Sequence, residues 1–73
     1  MPDEVARVLM GVRGMDTEPA RERVMATLRE VPGVLEVAPG DAARVAVEYD
    51  PTEVTAMDLI RALRRIGFLA GME

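Results

Sequence analysis

Three observations on this 73-residue chain predict an α+β fold, a four-stranded antiparallel sheet with two helices on one face. Apolar residues recur at i, i+4 and i+7 in two stretches, at Val24, Leu28 and Val31 and again at Leu59, Leu63 and Ile66, the spacing of an amphipathic helix. The segments around them alternate or are short and β-branched, as strands require. Turn formers stand at the junctions, at Gly14, Pro32-Gly33, Gly40-Asp41, Asp50-Pro51 and Gly67. The resulting order is β-α-β-β-α-β.

Val5 to Arg13 places Val8, Met10 and Val12 on one side and Arg7, Leu9, Gly11 and Arg13 on the other, so it reads as the first strand. A Gly14-centred loop follows. The first helix is expected over Glu18 to Val31, with Asp16 or Thr17 supplying the N-cap oxygen and Pro19 tolerated in a turn whose N–H groups have no helical partner. Pro32-Gly33 ends it, since proline cannot continue the ladder and glycine accepts the left-handed turn. Val34 to Ala38 and Arg44 to Tyr49 read as a hairpin around Gly40-Asp41, with Val45, Val47 and Tyr49 on one face. Pro39 lacks a donor, which suits the second strand to a sheet edge.

Asp50-Pro51 breaks the third strand, and Thr55-Ala56-Met57-Asp58 has the form of a capping box with Asp in place of Glu. The second helix runs to Ile66, with Arg61, Arg64 and Arg65 toward its negative end. Gly67 closes it, and Phe68 to Ala70 read as a short last strand. Right-handed crossovers turn this order into a ferredoxin-like sandwich, one domain over residues 1–73.

Composition excludes several functions. With no cysteine and no histidine, the chain has no disulfide, thiolate chemistry, imidazole ligand or ordinary neutral-pH general base, and it reads as not an enzyme. A net charge of −4 and two aromatics, Tyr49 and Phe68, exclude nucleic acid as a partner, because that role needs a basic surface and stacking rings. No apolar run approaches the roughly 20 residues of a membrane span, and Met1-Pro2-Asp3-Glu4 lacks the basic start of a signal peptide, so a cytoplasmic location is expected. Every basic residue is Arg, and Lys, Ser, Asn and Gln are absent, which fits the coding bias of a GC-rich genome.

The motifs along the chain resemble those of the heavy-metal-associated domain family. They run from Val12-Arg13-Gly14-Met15 through Leu28-Arg29-Glu30-Val31-Pro32-Gly33-Val34 to Tyr49-Asp50-Pro51 and Ile66-Gly67-Phe68. Members are small copper, mercury or cadmium chaperones and the N-terminal modules of metal-pumping ATPases, and they hand the ion on through a transient docked complex. The resemblance therefore implies a bacterial, copper-chaperone-like scaffold. Met15 matches the family's loop methionine, and Phe68 matches the aromatic beside the metal loop. The family's Gly-Met-x-Cys-x-x-Cys motif is broken, because Thr17 and Ala20 stand at the two cysteine positions. A hydroxyl is a weak neutral ligand for a soft cation and a methyl group is none.

Two readings of that loop follow. In the first, Gly14, Met15, Asp16, Thr17, Glu18 and Ala20 form a degenerate metal loop with no cofactor, and the domain acts through a protein partner as a monomer or weak homodimer. Arg61, Arg64 and Arg65 form its candidate interaction patch, and a strand edge or Met25 with Ala26 on the outer part of the first helix could add contact area. The alternative is a low-affinity heavy-metal-binding or transport protein that uses Met15, Asp16 and Glu18, or ligands shared between chains. Hard cations want six or more oxygens, so three adjacent loop oxygens make a weak site, and capping explains Asp16, Thr17 and Glu18 without a metal. The six methionines are spread over core, helices and termini, and only Met15 with Met10 or Met72 could converge. Related folds fare worse: acylphosphatase-like catalysis needs an asparagine, and RNA-recognition motifs need sheet aromatics where this chain has Leu9, Gly11 and Ala46.

Overall fold

A computed structural model of the chain describes residues 4–41 and 43–72. Its elements are β1 (Ala6–Arg13), α1 (Glu18–Arg29), β2 (Val34–Pro39), β3 (Arg44–Tyr49), α2 (Ala56–Arg65) and β4 (Leu69–Met72). The strands form one antiparallel sheet in the order β2-β3-β1-β4, with α1 packed over β2 and α2 over β4. This is the ferredoxin-like sandwich that the element order predicts.

The period-two residues of β1 and β3 turn Met10, Val12, Val45 and Val47 inward to meet Val24 and Leu28 of α1 and Leu59 and Leu63 of α2. All eight are essentially inaccessible to solvent. Burying a side chain of this size contributes about 1.5–3 kcal/mol, so this layer dominates the stability. The opposite face of the sheet carries Arg7, Leu9, Gly11 and Arg13 from β1 and is covered by no helix.

The first helix is shorter than its apolar spacing suggests. It ends at Arg29, with Glu30 as C-cap, because the Val31 N–H turns back to the Leu28 carbonyl at 3.1 Å and Pro32 has no N–H to offer. Gly33 then takes φ +96°, and Val31 packs at the margin of the core from outside the helix. The second helix ends in a Schellman motif: Gly67, at φ +93°, donates to the Arg64 carbonyl and Phe68 to that of Leu63. Phe68 therefore belongs to the helix exit. The last strand is displaced to Leu69–Met72, where Met72 pairs with Met10, so it is ordered strand and no frayed end. Met1 lies outside the described residues, as does the Met1-Pro2-Asp3 start.

The second strand lies at the sheet edge and reaches Pro39, one residue beyond the expected end. Leu35 interrupts its register as a bulge. Proline and a bulge both discourage further strand pairing on that side.

Candidate functional site

The loop after β1 is held by three local devices. Gly14 has φ +89°, a conformation that L side chains rarely adopt, and a Cβ there would lie 3.5 Å from the Phe68 ring. Phe68 thus lies against the loop backbone. Met15 points the other way, into the core, and is only 2 % exposed. Thr17 takes an extended conformation as N-cap, and its hydroxyl oxygen accepts a hydrogen bond from the Ala20 N–H at 3.2 Å. The first residue of the would-be ligand pair therefore caps the helix through the backbone of the second.

Around these anchors the loop's chemistry is sparse. Asp16 and Glu18 are exposed, Ala20 is half-buried, and neither carboxylate makes a hydrogen bond or ion pair to a described residue. Among the described residues no cluster of three or more Asp, Glu, Cys or His side chains could hold a metal ion. Of the thioethers, Met10 and Met15 are buried, and the exposed Met72, paired with Met10 across the sheet, borders a groove beside Met15.

The β2–β3 turn abuts this loop, a contact that no local motif marks. The Val12 N–H donates to the Ala43 carbonyl at 2.7 Å, and Arg21 of α1 donates from Nη1 to the Gly40 carbonyl at 3.4 Å. Two open grooves therefore flank Met15 and Asp16. One runs toward Asp41, Arg44 and Met72, and the other toward Glu18, Arg21 and Ala43. The antiparallel order is the one signal in the sequence that could have placed the turn here, because it puts the start of β3 beside the end of β1.

Arg61, Arg64 and Arg65 are all exposed on α2, and none makes a hydrogen bond or salt bridge to a described residue. Arg61 acts on Asp58 through its field alone. The Asp58 carboxyl is held below the usual range chiefly by the Thr55 N–H, which donates to it at 3.0 Å, and then by the Thr55 hydroxyl. Met25, expected on the outer part of α1, is partly withdrawn against the core, while Ala26 beside it is exposed.

The sequence matches no protein-family model and no curated protein. Its fold matches many solved structures. Oxidized MerP from Ralstonia metallidurans CH34 superposes with a TM-score of 0.91 at 20% identity, over 96% of this chain and 99% of that one. A copper binding domain from HMA7, a P-type ATPase, gives 0.87 at 28% identity over 92% of each chain. The CopZ metallochaperone gives 0.83 at 21% identity over 90% of this chain and 100% of the other. Among the described residues no helix is long and apolar enough to cross a membrane. The chain resembles the heavy-metal-associated domains in fold, and the full sequence contains no cysteine with which to build their thiolate site.

Proposed function

We propose that this chain is a protein-interaction module on a metal-trafficking fold, one that has lost soft-metal binding at its first loop. The observation that carries the reading is the state of the two ligand positions. Ala20 offers no ligand atom, and the Thr17 oxygen already accepts the Ala20 N–H as helix cap. A cation there would have to compete with that cap for a neutral oxygen, with no thiolate to reward the exchange.

The low-affinity metal reading loses support from burial. Met15 would have to leave the core to reach an ion, exposing its own surface and opening a cavity, a change worth about 2–5 kcal/mol when methionine is truncated to alanine. The partner reading draws support from Arg61, Arg64 and Arg65, three exposed cations with no salt bridge to a described residue, near the helix end that leads back to Phe68 and the loop. The partner that fits them is a protein with an acidic surface. No enzyme activity is proposed.

Titration of the unaltered protein with Cu(I) and Zn(II) against a competing chelator tests the metal half of the reading. The wild-type chain is expected to leave both ions with the chelator, and the Thr17→Cys/Ala20→Cys variant to capture Cu(I). Tight stoichiometric binding by the wild-type chain would overturn the reading. A folded double variant that still fails to bind would mean that the loop backbone, and not the ligands alone, has departed from a binding geometry.

A further inference from the structure

The two edges of the sheet are unlike. The β2 edge carries Pro39 and the bulge at Leu35, whereas β4, at the other edge, has no proline, charge or bulge over Leu69-Ala70-Gly71-Met72. Its open backbone groups follow from the ladder to β1. The Val12 N–H points toward β3, where it donates to the Ala43 carbonyl, so Val12 and its partner Ala70 form a non-hydrogen-bonded pair, as do Met10 and Met72. The N–H and C=O groups of Ala70 and Met72 therefore point away from β1, and on that side they meet no backbone group of a described residue. Such a row is a template for a further strand.

The side chains around this edge are apolar. Leu69 and Gly71 share the open face with Arg13 and Gly11, while Ala70 and Met72 lie on the helix side with Val12 and Met10. The helix packed over β4 is α2. Its Asp58, Ala62 and Arg65 line the groove toward α1, so the other flank, above the β4 edge, carries Met57, Ile60 and Arg64 at i, i+3 and i+7. Met57, Leu69 and Met72 are each more than half exposed, and they are half of the six large apolar side chains exposed among the described residues. Apolar surface gathered in this way marks a contact site.

We propose that two copies of this chain join edge to edge through β4, paired antiparallel about a two-fold axis at Ala70, so that their sheets become continuous. Directly opposed side chains must share a face, so the axis has to pass through a residue pair. Centring on Gly71 would set two glycines opposite each other with nothing to cover them. Centring on Ala70 sets the second copy's Leu69 over Gly71, where an added side chain meets no atom of its own copy within 4 Å. The Ala70 pair exchanges two hydrogen bonds. Each Met72 falls opposite the second copy's Phe68, whose N–H is already held by the Leu63 carbonyl at 3.0 Å, so Met72 donates to the Phe68 carbonyl. The occupant is a second copy because β4 meets its own needs: the strand offers Leu69 for Gly71, and with no charge on it self-pairing opposes no like charges. Above the seam the two α2 helices run antiparallel, with Met57 and Ile60 toward it and the two Arg64 at opposite ends. The association needs neither a metal nor the arginine patch, and so stands apart from the functional reading above.

The size of the edge sets the strength. A strand about 14 Å long beside two layers about 10 Å thick offers on the order of 300 Å² per copy, less than half of the ~800 Å² per partner usual in stable complexes. The dimer is therefore weak and concentration-dependent.

Sedimentation equilibrium and amide hydrogen exchange from micromolar to millimolar protein, with circular dichroism to verify folding, test this on the whole chain. Wild type is expected to pass from monomer to dimer across that range. The Ala70 and Met72 N–H groups should gain protection with concentration, while those of Leu69 and Gly71, already bonded to β1, change little. Two variants test the register. Leu69→Glu/Gly71→Arg opposes unlike charges twice across the seam, and Leu69→Glu/Gly71→Glu opposes like ones. The first is expected to associate about tenfold or more tightly than the second, by a margin that narrows in high salt. A wild-type monomer throughout would overturn the proposal. So would Ala70 and Met72 protection that ignores concentration, or equal association of the two charge variants.

Discussion

The chain turns from strand to helix twice, at 14–17 and at 50–55, and the two loops use their polar groups in opposite ways. In the second loop nearly everything is bonded inward. The Asp50 carboxylate accepts from the Thr52 N–H at 2.9 Å and the Thr52 hydroxyl at 2.7 Å, the Asp50 N–H reaches the Gly33 carbonyl at 2.8 Å, and Thr55 and Asp58 close a reciprocal box. Val54 buries itself beneath. The first loop has a comparable plug in Met15, but its side-chain bonding consists of the single Thr17 cap, and Asp16 and Glu18 are left to solvent. A loop with its bonds already made serves the fold. One whose carboxylates, Asp16 and Glu18, are unbonded can offer those two groups to a partner while the Thr17 cap and the Met15 plug stay in place.

Glycine substitutions give the largest expected contrast. A methyl on Gly33, at φ +96°, would meet Val54 Cγ1 at 2.9 Å and Glu53 Cβ at 3.0 Å, so it collides with the second loop as well as straining its own backbone. Gly33→Ala is expected to cost about 2–4 kcal/mol. Gly14→Ala keeps the strain of φ +89°, but its nearest neighbour, Phe68 Cδ1, lies at an ordinary 3.5 Å. It should cost about 1 kcal/mol. Urea denaturation of the two variants compares them, and equal losses would mean that the two loops are equally tight.

The helix caps should differ by less. Thr55 accepts from the Asp58 N–H at 3.3 Å and both donates to and positions the Asp58 carboxylate, whereas Thr17 accepts one hydrogen bond. Thr55→Ala is expected to lose about 1–2 kcal/mol, and Thr17→Ala about 0.5–1 kcal/mol. If the order were reversed in the same denaturation series, the first loop would be the more tightly built, and Asp16 and Glu18 would be no more than loose ends on a closed turn.

Much of this contrast is legible in the sequence. The Thr55-x-x-Asp58 spacing announces the box, Met15 announces the plug, and the alternation of Val8, Met10 and Val12 announces which side of β1 is buried. The missing cysteines are visible by inspection. Features fixed by the chain's return on itself are not legible, because local pattern carries no register. The bulge at Leu35 and the pairing of Met72 with Met10 depend on residues far apart in sequence, whereas the position of Phe68 beside the Gly14 loop is expected only through the family resemblance. The apolar spacing overextends the first helix to Val31 for a related reason. Val31 continues the periodic pattern, but it reaches the core from the turn. Ala43 and Gly40, the neighbours of the candidate loop, leave no local trace because they belong to a hairpin whose tip docks there only in three dimensions.

The smallest effect expected is on acid stability, and it belongs to the closed loop. Asp50 and Asp58 both have pKa values below the ordinary carboxylate range, Asp50 through the Thr52 hydroxyl and then its N–H, Asp58 through the Thr55 N–H and then its hydroxyl. In the unfolded chain both return to the ordinary value. Each group therefore contributes stability that is fully present above that value and is lost as pH falls through the lowered, folded one. Both carboxylates are exposed, so solvent screens the contribution and keeps it small. Asp58→Asn removes one of the two titrations, and the fall of its thermal midpoint between neutral pH and strong acid should be shallower than in wild type. An unchanged slope would mean that the box holds the helix through its neutral hydrogen bonds alone, and the second loop would then owe its closure to Val54 and Gly33 packing more than to charge.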